Sequence, residues 1–174
     1  MYPLTPQSLP TARVQLLGSG AILGEVMAAA QMLKEDWNID AATWSVTSFS
    51  ELHREAIAAE RIARLDGEAA PSYVETVLRD SLGPVIAATD YVRAVPELIR
   101  AHVPRRYVTL GTDGFGRSDS RRALREFFEV DRASIVIAAL KALADDGELD
   151  RTIVREAIAR YGKQSTTNEA PWTR

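Results

Sequence analysis

Short apolar runs alternate with helical patterns through the first half of the chain. Residues 13–17 form an apolar run that ends at a glycine turn, and residues 42–46 form a second apolar run. Between them, apolar side chains recur at helical spacing as far as about Asp36, at Ile22, Leu23, Val26, Met27, Ala30 and Leu33. This order of strand, helix and strand predicts a βαβ unit with parallel strands and a right-handed crossover.

The same alternation continues downstream. Residues 85–88 and 107–110 are short apolar runs next to glycines, which is typical of buried strands. Residues 65–71 are predicted to form a loop, and residues 73–78 are too short for the pattern to choose a structure. Helical spacing is present in the stretch from Ser48 to about Arg64, at residues 94–102 and at residues 121–128. The pattern therefore predicts an α/β domain on a mostly parallel sheet.

Two more helices are predicted in the last third of the chain. Asp131 and Asp150 are suitable N-caps, and Gly147 and Gly162 follow the two helices at their C-terminal ends. Two helices joined by a short glycine-containing turn also fit a helix-turn-helix motif. However, the second helix mixes arginines with acidic residues, and the formal net charge of the chain is -3. Both features favour a solvated helix face and no nucleic-acid partner.

The two ends of the chain lack such patterns. Residues 1–11 contain Pro3, Pro6 and Pro10. Because proline cannot donate to a ladder, this segment is predicted to be an extended linker arm without an element. Residues 163–174 are polar and are predicted to form a tail. The domain is therefore predicted to cover residues 12–162.

Composition narrows the possible functions. Apolar residues make up 46% of the chain and charged residues 26%, which fits a globular domain. The absence of cysteine excludes disulfides, a thiolate nucleophile and cysteine-ligated metal sites. The two histidines, His53 and His102, argue against a multi-histidine metal site. No apolar run approaches the roughly 20 residues that span a bilayer. Because residues 1–6 also lack the pattern of a signal peptide, the chain is predicted to be cytoplasmic, with no membrane partner.

The glycine turn after the first strand is a candidate phosphate site. Gly18, Gly20 and Gly24 approximate the G-x-G-x-x-G fingerprint, in which free N–H groups at a helix start bind a pyrophosphate. The third glycine falls one position late, and Asp40 precedes the second strand instead of ending it. A tight turn with close helix packing explains the same residues. A free-standing nucleotide-binding domain that uses Gly18–Gly24 is the alternative function.

Polar residues also follow the second strand. Ser48 or Ser50 is predicted to cap the next helix, and Ser48 with Glu51 has the spacing of a capping box. His53 lies in the first turns of that helix. It is either a general base or, as is usual at such a position, a surface or packed residue.

The loop at residues 111–121 is the most unusual segment of the chain. It follows a predicted strand at the carboxyl end of the sheet, where open α/β sheets bind ligands, and it has three glycines in six residues. Ser118 or Asp119 is predicted to cap the following helix. Asp113 and Arg117 have no such local role, so an ion pair, a substrate contact and a solvated loop all remain open for them.

The residues of this segment also resemble those of a known family. Residues 107–121 are similar to a segment near the C-terminus of the bacterial homodimeric pyruvate dehydrogenase decarboxylating component. This enzyme family belongs to the thiamine-diphosphate-dependent, transketolase-like superfamily. Further matches lie in the same order along the chain, at residues 14–20 with 22–23, 44–49, 88–91 and 128–131. They extend over roughly residues 12–162, and the tail from Gln164 departs from the family pattern.

The resemblance implies that the chain is the C-terminal domain of such an enzyme. This domain has a mostly parallel open sheet of about five strands with helices on both faces. Its implied role is architectural, because it packs on the middle domain, helps to hold the homodimer and walls the approach to the cofactor. The best candidate for the surface turned toward the rest of the enzyme is the loop at residues 112–119, with Thr112, Asp113, Phe115, Arg117, Ser118 and Asp119.

The reaction implied for the full-length enzyme is the oxidative decarboxylation of pyruvate. Thiamine diphosphate and magnesium, bound by the upstream domains, supply the electron sink. The lipoyl group of dihydrolipoamide acetyltransferase is then reductively acetylated. The implied partners are the upstream domains, a second subunit of a homodimer and this acetyltransferase.

The family's catalytic motifs have no counterpart in the chain. The sequence lacks the diphosphate motif and the activating glutamate, and neither His53 nor His102 falls in a matching motif. We therefore expect no catalytic, cofactor-binding or metal-binding residue in this chain, and we expect the chain alone to be inactive.

Overall fold

The fold consists of five strands that alternate with helices. The computed structural model describes residues 1–4, 11–163 and 170. The strands are β1 (Tyr2–Pro3), β2 (Val14–Gly18), β3 (Ala41–Ser45), β4 (Val85–Ala88) and β5 (Tyr107–Leu110). The helices are α1 (Leu23–Trp37), α2 (Phe49–Asp66), α3 (Tyr73–Leu78), α4 (Ala94–Glu97), α5 (Arg121–Phe127), α6 (Arg132–Asp145) and α7 (Arg151–Arg160). Short 3-10 turns occupy Gly20–Ile22 and Arg100–His102.

The sheet has the strand order β1-β3-β2-β4-β5. The four neighbouring strands β3, β2, β4 and β5 are parallel to one another. Leu16 of β2 lies opposite Thr43 on one side and Ile86 on the other. Only β1 is antiparallel, at the edge beside β3. The prediction of a mostly parallel sheet of about five strands is confirmed.

Helices cover both faces of this sheet, as predicted. One buried cluster joins β2 and β4 to α1, α6 and α7, and the other joins the same strands to α2 and α3. Consecutive residues of β2 point to opposite faces, so Leu16 lies in the first cluster and Leu17 in the second. This explains why all five residues of β2 are buried and why Leu16 and Leu17 are both apolar instead of alternating with polar residues.

The predicted helix ends in the last third of the chain are also confirmed. Asp131 caps α6 by accepting a hydrogen bond from the Ser134 N–H at 3.0 Å, and Asp150 caps α7 by accepting one from the Thr152 N–H at 2.7 Å. Gly147 follows α6 with a φ of 79°. The inner face of α6 is fully buried against the sheet and α7. The two helices therefore form part of the domain core, and a separate DNA-binding pair is not favoured.

The structure differs from the sequence prediction at the N-terminus. Tyr2–Pro3 pairs with Ser45 and Trp44 of β3, and the Leu4 N–H donates to the Thr43 carbonyl at 2.8 Å. The prediction that residues 1–11 contain no element is therefore wrong for these two residues. Proline is tolerated here because an edge strand needs hydrogen bonds on one side only. The other two prolines of this segment lie outside the described residues.

Residues 94–102 do not form the single helix that was predicted. They form α4 and a 3-10 turn, and the Pro96 carbonyl of α4 also accepts a hydrogen bond from a side chain of β5. The Tyr107 hydroxyl donates to the Pro96 carbonyl at 2.9 Å, and Arg100 reaches across to the Tyr107 carbonyl at 2.9 Å. The segment is thereby tied to β5 instead of continuing as a helix.

The ambiguous segment at residues 73–78 forms a helix, α3. A capping box starts it, in which Ser72 Oγ accepts from the Glu75 N–H at 3.2 Å and Glu75 accepts from the Ser72 N–H at 2.6 Å. Within the described part of the chain, none of the helices combines the length and the apolar character that are needed to cross a bilayer.

Candidate functional site at the carboxyl edge of the sheet

The carboxyl ends of β2 and β4 meet where the chain changes direction across the sheet. From β2 the chain crosses to β3 on one side, whereas β4 lies on the other side. Such switch points are the usual ligand sites of open α/β sheets. Here the gap is closed by a buried hydrogen bond of 2.7 Å between the hydroxyls of Ser19 and Thr89. A Cβ at Gly18 would lie 2.9 Å from Leu23 and 3.0 Å from Val26, so α1 packs directly on the strand.

The anion position at the glycine turn is taken by a carboxylate of the protein itself. Gly20 has a φ of 55°, and a Cβ there would lie 2.5 Å from Asp90 Oδ1. The Ala21 N–H makes a long contact of 3.5 Å with Asp90 Oδ2. A phosphate at this turn would have to displace that carboxylate. The structure therefore supports a tight turn with close helix packing, and the nucleotide-binding alternative is not favoured.

Asp113 and Arg117 of the loop at residues 112–119 have separate partners. Asp113 Oδ1 accepts a hydrogen bond from the Arg93 N–H at 2.8 Å. The Arg117 guanidinium lies over the Phe127 ring, 4.3 Å from its centre. The two charges left open by the sequence thus do not pair with each other. Each one fixes a different end of the loop to the body of the domain.

The base of this loop is attached closely to the segment that follows β4. The Thr112 N–H donates to the Tyr91 carbonyl at 2.9 Å, and the Thr112 hydroxyl donates to the Asp90 carbonyl at 2.8 Å. A Cβ at Gly111 would lie only 2.7 Å from the Tyr91 carbonyl oxygen and 2.8 Å from the Arg93 nitrogen. Glycine is therefore needed at this position for the approach of two backbones.

The helix after the loop is capped one residue later than predicted. Ser120 Oγ accepts from the Ala123 N–H at 3.2 Å, whereas Asp119 Oδ1 is bound to the Ser120 N–H at 2.6 Å. The prediction of Ser118 or Asp119 as the N-cap is wrong. The carboxylate of Asp119 orients the cap residue instead of capping the helix.

The outer part of the loop presents an apolar surface. Phe115 is 82% exposed, and Tyr91 and Val92 of the neighbouring segment are also exposed. We call these three residues the loop surface. Other residues of the loop line a cavity of about 350 Å³, whose walls include Ile22, Leu124, Phe128, Thr112 and Arg117. Large exposed apolar side chains on a segment fixed at its base are typical of a surface that packs against a neighbour.

The two histidines do not build a catalytic centre with the described residues. His102 is buried, with Nε2 3.4 Å from Glu60 Oε1. Nδ1 of His53 is buried and finds no hydrogen-bond partner in the described part of the chain. Ser48 is the cap of α2 and accepts from the Glu51 N–H at 3.1 Å, while the Glu51 side chain pairs with Arg54. The capping box predicted at Ser48 is thus only half formed.

A buried carboxylate that the sequence analysis did not single out joins three helices near this edge. Glu25 of α1 binds Arg125 at 2.8 Å and Arg132 at 2.9 Å, and it also accepts from the Arg132 N–H at 3.1 Å. The hydrogen bond from the Arg132 side chain is the main reason why the pKa of Glu25 lies below its ordinary value. Glu25 occurs among apolar residues of α1, which is the signal that could have identified it.

The comparisons with known proteins identify the family. Residues 1–131 match the family described as the transketolase-like TK C-terminal domain, and the chain belongs to this family. It is 57% identical over 151 residues to the pyruvate dehydrogenase E1 component of Cupriavidus necator, covering 86% of this chain and 17% of that protein. It is 46% identical over 164 residues to that of Escherichia coli, covering 92% of this chain and 18% of the relative. The chain therefore spans less than a fifth of the length of these relatives.

A solved structure supports the fold. The chain is similar to a split-gene transketolase, described as an inactive β4 tetramer, with a TM-score of 0.53 and 22% identity. The similarity covers 77% of this chain and 40% of that chain. The expected transketolase C-terminal fold is thereby confirmed.

Proposed function

We propose that this chain is the C-terminal domain of a pyruvate dehydrogenase E1 component and serves an architectural role in it. The identity of 57% to relatives of which it spans less than a fifth is the observation that carries the proposal. The proposed domain covers residues 12–162, with residues 1–11 as an arm whose Tyr2–Pro3 pairs with the edge of the sheet and residues 163–174 as a tail. The full-length protein is proposed to decarboxylate pyruvate oxidatively in the bacterial cytoplasm and to acetylate the lipoyl group of an acetyltransferase.

Thiamine diphosphate and magnesium belong to other domains in this proposal. The described residues of this chain do not fit them, because the glycine turn already holds the Asp90 carboxylate beside its N–H groups. Moreover, no three acidic or histidine side chains within residues 1–4, 11–163 and 170 are grouped as a metal site would require. The chain on its own is therefore proposed to be catalytically inactive.

The loop surface is proposed to pack against the upstream part of the same subunit, near the approach to its active site. Its segments are fixed by the hydrogen bond that the Thr112 hydroxyl donates to the Asp90 carbonyl and by the one that Asp113 accepts from the Arg93 N–H, while Phe115 is exposed. Because the backbone at the base of the loop is already fixed, little conformational entropy is lost when the exposed phenylalanine side chain becomes buried against a partner. A homodimer with a second such subunit completes the proposed assembly.

Isothermal calorimetry tests the assignment of the cofactor to other domains. We expect thiamine diphosphate, with magnesium present, to bind the chain no more tightly than inorganic pyrophosphate does, because the Asp90 carboxylate would repel a diphosphate at the turn. Micromolar binding of thiamine diphosphate that is clearly tighter than that of pyrophosphate would contradict this assignment.

The substitution Phe115→Ala tests the loop surface. In the isolated chain it should change the free energy of unfolding by no more than about 0.5 kcal/mol, since the side chain is 82% exposed. In a chimera in which this chain replaces the matching region of the Cupriavidus necator protein, it should reduce lipoyl acetylation and lower the apparent Tm.

Leu65→Ala is the matched control, because Leu65 is 61% exposed and lies at the end of α2, away from the loop. It should leave both properties of the chimera unchanged. If Phe115→Ala and Leu65→Ala behave alike in the chimera, the loop is a solvated turn and the proposed contact does not exist.

A further inference from the structure

A basic groove lies between α1, α5, α6 and the end of α7. Its volume is about 630 Å³, and its walls carry five cationic and three anionic side chains. The groove therefore has an excess of two positive charges, although the whole chain has a formal net charge of -3. Since the domain is acidic overall, this local excess calls for a specific explanation.

Two of the arginines in the groove are held in place by a buried carboxylate. The Glu25 side chain is 7% exposed and binds the guanidinium groups of both Arg125 and Arg132. Arg132 makes two contacts with it, from Nε at 2.9 Å and from Nη2 at 3.2 Å. Their side chains are thus oriented before any ligand arrives, which lowers the entropy cost of binding. Lys163 is oriented in the same way by Asp131, at 2.9 Å.

The other two arginines of the groove have no such anchor. No hydrogen bond or ion pair joins the side chain of Arg121 or Arg122 to any residue that the structure describes. Both belong to the first turn of α5 and face the same cavity as the anchored pair. Their charges account for the positive excess of the groove.

We propose that this groove binds a small anion that carries two or more linked phosphate groups. A guanidinium offers a planar pair of N–H donors that matches two oxygens of a phosphate. This groove offers two guanidinium groups without a partner among the described residues, beside the two that Glu25 already binds. The volume lies within the range of small-molecule sites. The excess of two positive charges matches a diphosphate better than a single carboxylate. Binding here is independent of the glycine turn and of the proposed enzymatic role.

Inorganic pyrophosphate is the probe, and calorimetry with the isolated chain is the measurement. We expect saturable binding that is at least tenfold tighter than that of orthophosphate. The double substitution Arg121→Ala/Arg122→Ala should weaken it at least tenfold. Both side chains are exposed and lack partners in the described residues, so the fold should persist, as circular dichroism can verify.

Arg61→Ala/Arg64→Ala is the matched control, because it removes the same charge from exposed positions of α2 on the opposite face of the sheet. It should leave pyrophosphate binding within twofold of the parent. Equal weakening by both double variants would reduce the effect to net charge and overturn the proposal. Absence of binding at 1 mM pyrophosphate would also overturn it, because it would mean a binding free energy weaker than about -4 kcal/mol. Tight binding of poly-glutamate that pyrophosphate does not displace would instead assign the groove to an acidic protein segment.

Discussion

Gly83→Ala is expected to destabilise the domain by about 3 kcal/mol or more, because two separate effects add. Gly83 has a φ of 71°, which strains any residue with a side chain. In addition, a Cβ there would lie 1.8 Å from the carbonyl oxygen of Arg13. The carbonyl oxygen belongs to backbone and the position of a Cβ is fixed by its own backbone, so no side-chain rotation relieves the clash.

The location of Gly83 makes this effect global. It lies just before β4, where the Gln15 N–H donates to the Pro84 carbonyl at 2.9 Å and the Gln15 side chain donates to the Leu82 carbonyl at 3.0 Å. These bonds set the register between β2 and β4, the two central strands. Moving either backbone therefore disturbs the middle of the sheet.

Urea unfolding followed by circular dichroism measures the loss, and two glycines serve as controls. Gly67→Ala should cost about 1 kcal/mol, since its φ is 73° but no atom lies within 4 Å of the new Cβ. Gly116→Ala should change stability by no more than about 0.5 kcal/mol, because its surroundings are open as well. An unfolding midpoint for Gly83→Ala equal to that of Gly67→Ala would show that the close approach to Arg13 does not exist.

Local chemistry explains why much of the fold could be predicted from the sequence. The central strands are buried on both faces, so their apolar residues stand at consecutive positions, and a glycine marks one end of each, Gly18 at the end of β2 and Gly83 just before β4. Asp131 and Asp150 accept hydrogen bonds from N–H groups only two or three residues away, and such short-range helix caps can be recognised from the sequence. Tyr2–Pro3 was missed because a strand of two residues has no period and its proline argues against a ladder.

Long-range contacts explain why the site was predicted less well. Asp90 meets Gly20 only because β2 and β4 are neighbours, and strand order is not contained in the spacing of either segment. Likewise, Arg125 and Arg132 lie 100 and 107 residues from Glu25. The pairing of the loop's two charges could not be read from the sequence either, because Asp113 binds the Arg93 N–H and Arg117 lies over the Phe127 ring.

Glu25→Gln is expected to destabilise the domain by about 2 kcal/mol at pH 7, through loss of charge-assisted hydrogen bonds. The carboxylate is buried, but Arg125 is 27% exposed and Arg132 is 53% exposed, so water partly screens the pairs. For this reason we expect less than the about 3–5 kcal/mol that breaking a fully buried pair costs. Glutamine keeps the shape of the side chain, so the loss reports the charge and not a cavity.

The pH dependence gives this prediction its sharpest test. Hydrogen bonds from Arg132 hold the pKa of Glu25 below its ordinary value, so its ionised form is favoured in the folded state. The stabilisation is therefore complete above the ordinary pKa of about 4.3 and is lost as the pH falls through the lower, folded-state pKa. Protonated Glu25 resembles glutamine, so the difference between parent and Glu25→Gln should shrink as the pH falls through this window.

Glu148→Gln is the control for this comparison, because Glu148 pairs with Arg13 at 3.1 Å on the surface, where the two side chains are 42% and 39% exposed. Screening by water limits that pair to about 0.5 kcal/mol, so its removal should have little effect at any pH. Urea unfolding of the three proteins between pH 7 and pH 3 makes the comparison. A difference between the parent and Glu25→Gln that stays constant over this range would mean that the charge of Glu25 does not stabilise the fold.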